Sequence, residues 1–264
     1  MNPLTIFASR FVAGERPQDA VRAGERLHAK GIRATFDELG EDVHDRAAAA
    51  RASESSCHLL RLIPAGVERN ISIKMSSMGQ EISREFCIEN VSKVLDVARE
   101  TGGFVRFDME GSKLTESTIG IFHELRKRYD NVGIVLQAYL HRTPDDVKEA
   151  IRRKDRVRLC KGAYSEPPGV AIQDMASIRR AFTACAQELV SGMIDYSRAQ
   201  GIPASRFEFQ MLYGLRPRRW EELVAGGFNM RVYVPFGTHW MPYFYRRLRE
   251  RRENVLFVLR GLFR

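Results

Sequence analysis

Short apolar runs alternate with longer stretches of helical period along the whole chain. Residues 32–36, 71–74, 104–108, 132–137, 157–161, 207–212 and 230–234 read as strands, being brief, apolar and rich in β-branched and aromatic side chains. Between them, residues 88–101, 117–129, 144–153 and 220–225 repeat apolar positions every three or four residues, as helices buried on one face do. Strand–helix alternation of this kind predicts a parallel sheet covered by helices. No Pro/Ser-rich linker or low-complexity segment interrupts it, so one α/β domain spanning 1–264 is expected. A doubly wound sheet would carry a Gly-rich phosphate turn after its first strand. Neither GxGxxG nor GxxxxGK occurs, so a (β/α)8 barrel of the TIM type is the better expectation.

Polar residues sit where such a barrel places chemistry. Lys74, Asp108, Gln137, Lys161, Gln210 and Tyr233 each lie at or near the C-terminal end of a predicted strand. A single strand-end Asp or Lys often only caps a helix, but six from six strands form a pattern. Lys74, Asp108, Gln137 and Lys161 follow one another at roughly the length of one strand–helix repeat, whereas Lys161 and Gln210 are about two repeats apart. Residues 174–200 fill that interval with one helical pattern, broken only at Gly192. The barrel is therefore expected to be incomplete, with about seven recognisable strands, and two exposed sheet edges follow from that.

The last fifth of the chain adds a cluster. Residues 231–237, RVYVPFG, read as a buried strand closed by a Pro/Gly turn. On the helical pattern that follows, Tyr243, Arg246, Arg247 and Glu250 share one face at about 100° per residue. Two adjacent guanidinium forks suit a carboxylate, with Glu250 one turn on to fix a fork; a merely solvated basic face is the plainer alternative. Lys74 suits the same clamp, or solvent; Asp108 suits an ion pair with Lys74 or with an arginine. Tyr164 and Tyr233 offer flat walls, or ordinary core packing.

Composition narrows the classes. The chain has 264 residues and a net charge of +9, with 44% hydrophobic and 28% charged residues, an ordinary globular balance. Its cations are dispersed and accompany no nucleic-acid-binding motif, so sequence-specific nucleic-acid binding is not expected. Weak attraction to an anionic membrane is. No apolar run is long enough to span a bilayer, and the N-terminus has no secretory pattern. Four well-separated cysteines read as reduced thiols of an intracellular protein, and the six histidines form no metal-ligand spacing, so no metal is expected.

Several segments together carry a resemblance. FVAGE at 11–15, ATFDELGEDV at 34–43, ISIKMSSMG at 71–79, FVRFDMEGS at 104–112, VLQAYL at 135–140, VRLCKGAYSEP at 157–167, FEFQMLYGLR at 207–216, RVYVPFG and YFYRRLRERRENVLFVLRGLF at 243–263 occur in the order of their counterparts in proline dehydrogenase. The chain resembles the monofunctional bacterial, FAD-dependent type over nearly its whole length. Its expected barrel then matches the family fold. The family's sixth-strand Ala-Thr-His motif has no match here, which puts flavin affinity in question. The resemblance implies oxidation of L-proline to 1-pyrroline-5-carboxylate, the first step of proline degradation to glutamate. Electrons would pass to a membrane quinone and the product to a pyrroline-carboxylate dehydrogenase. A cytoplasmic location, peripheral at the inner face of the membrane, follows. It implies Asp108, Arg158, Tyr164 and Tyr233 as catalytic and Lys74, Leu212, Tyr243, Arg246, Arg247 and Glu250 as substrate-binding. FAD would meet Met109, Gln137, Arg158, Lys161, Gly162, Ala163 and Gln210. Two other readings stay open: a barrel with lost or weakened flavin binding, and a lyase using Lys74 or Lys161 as a Schiff base.

Overall fold

The computed structural model describes residues 9–190, 201 and 203–250, with the side chains of 186–190, 204 and 246–250 outside the description. Seven strands, β1 (Arg33–Glu38), β2 (Asn70–Ile73), β3 (Phe104–Phe107), β4 (Val132–Gln137), β5 (Val157–Cys160), β6 (Glu208–Leu212) and β7 (Asn229–Phe236), alternate with helices. These are α1 (Pro17–His28), α2 (Arg46–Leu62), α3 (Arg84–Glu100), α4 (Ser112–Arg126), α5 (Thr143–Arg153), α6 (Met175–Val190), α7 (Pro217–Ala225) and α8 (Trp240–Glu250). Local chemistry sets the boundaries. Pro17 opens α1, the Asp45 carboxylate accepts the N–H groups of Ala47 and Ala48 to start α2, and the Ser83 hydroxyl accepts that of Phe86 to start α3.

All strand pairs are parallel, in the order β5-β4-β3-β2-β1-β7-β6. Among the described residues the sheet curls as part of a barrel and is open, with β5 and β6 as its edges. Residues of β1 to β4 and β7 are largely buried, whereas those of β5 and β6 are only half-buried. Among the described residues, no strand lies between β5 and β6. The 174–200 pattern forms α6 as far as Val190; Gly192 and the rest of that pattern lie outside the described residues.

Alternation along the strands divides two layers. Ala34, Phe36, Ile71, Ile73, Val105, Phe107, Val232 and Val234 belong to the apolar core with α1 to α4. The other parity is polar and still buried: Thr35, Ser72, Arg106 and Arg231. TIM-type interiors are commonly filled by branched aliphatics, but here they are tied by hydrogen bonds. Thr35 Oγ1 meets Ser72 Oγ at 3.4 Å, and Arg231 donates to Glu208 at 2.7 Å, Glu68 at 2.9 Å and the Ala34 carbonyl at 2.7 Å.

One boundary departs from the sequence expectation. Pro235 does not end β7; it pairs with Asp37 of β1, and the strand runs on to Phe236. A proline is tolerated there because β6 stops level with Tyr233, so the far side of β7 needs no N–H donor for β6. The Pro235 carbonyl on that side accepts the N–H of Ala13 at 2.9 Å.

Candidate active site

The C-terminal ends of the strands surround a cleft of about 410 Å³. Val135, Leu159, Met109, Leu212 and Phe182 contribute apolar walls, and a few polar groups converge between them. Every described side chain singled out from the sequence lines it: Lys74, Asp108, Met109, Gln137, Arg158, Lys161, Gly162, Ala163, Tyr164, Gln210, Leu212, Tyr233 and Tyr243. Parallel strands bring these together because their ends point the same way, however far apart the residues lie in sequence. Arg246, Arg247 and Glu250 fall on α8, directly behind β7; their side chains lie outside the description.

Lys74 is buried at the end of β2 and donates to both oxygens of Asp37, at 2.7 and 2.8 Å. Burial opposes its charge, but Asp37 and then Asp108 outweigh that and hold the ammonium above its ordinary pKa. Asp37 is only 1% exposed; burial, with the Asp108 carboxylate nearby, lifts it to about 6 despite the Lys74 charge. Asp37 has no place in the sequence-derived site. It lies one residue past the predicted end of its strand, so the strand-end rule that picked Lys74 applied to it equally.

Asp108 takes the arginine rather than the lysine. Its Oδ1 accepts Arg158 Nη1 at 2.9 Å and its Oδ2 accepts the Tyr233 hydroxyl at 2.9 Å. The guanidinium also lies 5.5 Å from the Tyr233 ring centroid and reaches Ser72 Oγ at 3.1 Å. This brace joins β5, β3, β2 and β7 across the barrel mouth. Burial, followed by the Asp108 and Asp37 charges, pushes the Tyr233 phenol well up, so it stays a neutral donor. Burial likewise lifts the Cys160 thiol to about 11.

The remaining polar groups differ in how far the protein engages them. Gln137 donates to the Glu110 carbonyl at 2.8 Å and accepts the Ala163 N–H at 3.4 Å. The Gln210 amide donates to Glu208 at 2.6 Å, but its Oε1 has no protein partner, nor do Arg158 Nε and Nη2. Such buried orphans call for a ligand or water. Gly162 holds φ +116°, and a Cβ there would strike the Tyr139 ring. The Tyr164 hydroxyl reaches Glu41 at 3.3 Å. A mostly apolar cleft with orphaned donors and an orphaned acceptor on its walls suits a ligand that has one polar edge and one apolar edge.

The sequence profile described as proline dehydrogenase matches this chain in two parts, residues 20–177 and 170–260. The junction falls in the long interval between β5 and β6. Proline dehydrogenase 1 of Bacillus subtilis strain 168 is 36% identical over 272 residues, covering 97% of this chain and 90% of that protein. The proline dehydrogenase of Deinococcus radiodurans is 35% identical over 280 residues, covering 97% and 89%. The crystal structure of proline utilization A (PutA) from Bdellovibrio bacteriovorus inactivated by N-propargylglycine superposes with a TM-score of 0.81 at 26% identity. That match covers 92% of this chain and 32% of the PutA chain, so the present chain spans about a third of that protein.

Proposed function

From the premise that this chain belongs to the proline dehydrogenase family, we propose that the strand-end cleft oxidises L-proline to 1-pyrroline-5-carboxylate with FAD. The observation that carries this assignment to the cleft is the convergence there of a buried cation, a carboxylate brace and orphaned polar atoms. Dehydrogenation of proline opens its degradation to glutamate.

FAD, bound along Met109, Gln137, Arg158, the Lys161–Gly162–Ala163 turn and Gln210, supplies a two-electron acceptor. The chain's own residues do the rest. Lys74, with Arg246 and Arg247 from α8, anchors the substrate carboxylate; Asp37 fixes Lys74, and Glu250 fixes an arginine fork. Asp108 holds Arg158, whose guanidinium would offset negative charge on a reduced flavin, and aims the Tyr233 ring. Tyr164, Tyr233, Tyr243 and Leu212 wall in the small ring and exclude water.

The product is passed to a pyrroline-carboxylate dehydrogenase and the electrons to a membrane quinone. No described helix is long and apolar enough to cross a membrane. A net charge of +9 supports peripheral attraction to anionic lipid at the cytoplasmic face. The whole chain acts as one barrel domain. A Schiff-base lyase is disfavoured at Lys74, because an amine held protonated by two carboxylates is a poor nucleophile.

The test is a visible spectrum of the purified protein, taken anaerobically before and after L-proline, followed by a soluble quinone. Yellow protein that bleaches with proline and regains its colour with the quinone is expected. A colourless protein that reduces no acceptor with proline, even after incubation with FAD, overturns the proposal.

A further inference from the structure

Residues 161–174 join β5 to α6 and present Lys161, Gly162, Ala163 and Tyr164 to the cleft. They form no helix, and their one bridge pairs Ala171 with Leu140. That bridge pins the far end of the loop: His141 donates to the Val170 carbonyl at 3.0 Å and Ile172 to that of Tyr139 at 2.8 Å. The stretch next to Tyr164 is held differently. Glu166 Oε1 accepts the Ser112 N–H at 2.7 Å, and Oε2 accepts the Ser112 hydroxyl at 2.5 Å.

Ser112 begins α4, and the cap position before it is Gly111, which has no side chain to offer. The first turn of a helix has N–H groups without intrahelical partners and the positive end of the helix dipole. Glu166 answers both from a different strand–helix unit. Its own carbonyl accepts Gln173 Nε2 at 3.2 Å, which draws the two shoulders of the loop together.

We propose that Glu166 is a positioning residue for the reaction: latched onto the start of α4, it holds the loop so that Ala163 and Tyr164 face cofactor and substrate. This rests on the reading of the cleft as the proline-oxidising site. Glu166 is not among the residues that line the cleft. It acts two residues away, through Tyr164, whose hydroxyl already spans to Glu41.

The experiment compares Glu166→Ala and Glu166→Gln with Ser83→Ala, which removes the hydroxyl cap of α3. Steady-state kinetics with proline, melting temperature and hydrogen exchange of the 161–174 segment are measured on each full chain. Glu166→Ala is expected to raise KM for proline about tenfold and to speed exchange at 162–166 by a similar factor. Glu166→Gln, which keeps an acceptor, recovers part of both. Ser83→Ala lowers the melting temperature without either effect. Unchanged KM or unchanged loop exchange in Glu166→Ala, or equal changes in Ser83→Ala, overturns the latch. Should the parent protein fail to oxidise proline, the functional reading falls, and loop exchange alone decides the latch by the same criteria.

Discussion

At the scale of single residues, the Lys74–Asp37 pair sets a pH dependence. Burial raises Asp37 from 3.8 to about 6, so it takes up a proton as pH falls through that value and stops anchoring Lys74. The kcat/KM for proline is expected to fall between pH 7 and 5 in the parent protein, and to lose that step in Asp37→Asn. A group whose pKa rises on folding contributes stability below its unfolded pKa and loses it as pH rises through the folded one. The Asp37 contribution is thus present near pH 4 and gone by pH 7, opposite in sign to its effect on activity. At pH 7, Asp37→Asn leaves Lys74 buried without its directly bonded carboxylate, with only the more distant Asp108 charge facing it, a loss of about 3 kcal/mol readable by urea titration. For the arginine pair, Arg246→Lys or Arg247→Lys is expected to weaken proline use by about 2–4 kcal/mol of transition-state binding while leaving flavin content nearly intact. Unchanged kinetics in both variants removes the carboxylate-clamp assignment. Lys74 and Asp108 were legible because both are polar residues closing apolar strands. Their partners were not, since a sequence does not show which of Lys74 and Arg158 lies nearer to Asp108.

At the scale of elements, the turn after β5 depends on a conformation only glycine adopts easily. Gly162 sits at φ +116° with the Tyr139 ring where a Cβ would go. Gly162→Ala is expected to destabilise the protein by about 1–3 kcal/mol and to displace Lys161 and Ala163 from the cleft. Calorimetry and the flavin-to-protein ratio read the two effects. A variant that melts like the parent and keeps its flavin shows that the turn does not need glycine. The strand ladder was largely legible from apolar runs, and 132–137 matches β4 at both ends. The extension of β7 through Pro235 was not, because proline reads as a stop unless the neighbouring strand is known to end first. Nor did the apolar pattern reveal that the inward layer carries Arg106 and Arg231, since strand-centre arginines are legible only as exceptions until their partners are placed.

At the scale of the whole molecule, the distinctive feature is the open sheet that the described residues form. Among the described residues, a seven-stranded parallel sheet ending at β5 and β6 leaves two half-buried edges, and such edges favour association with other chains. FAD is expected to dissociate more readily than from a closed barrel. A family-like strand inserted between α6 and β6 should raise both flavin retention after dialysis and melting temperature. If the parent retains a full complement of flavin and the insertion alters neither quantity, the open edge has no functional consequence. The sequence by itself determined the alternation of elements, the parallel sense of the sheet, the doubled interval after Lys161 and the strand ends that carry chemistry. These follow from side-chain period and spacing, which are local properties. Only the tertiary structure decided that Asp37 seats Lys74, that Asp108 seats Arg158 and Tyr233, and that Glu166 caps a helix 54 residues earlier in the chain. Pairing of buried charges depends on which strand ends the curl of the sheet brings within about 3 Å, and no local pattern encodes that distance.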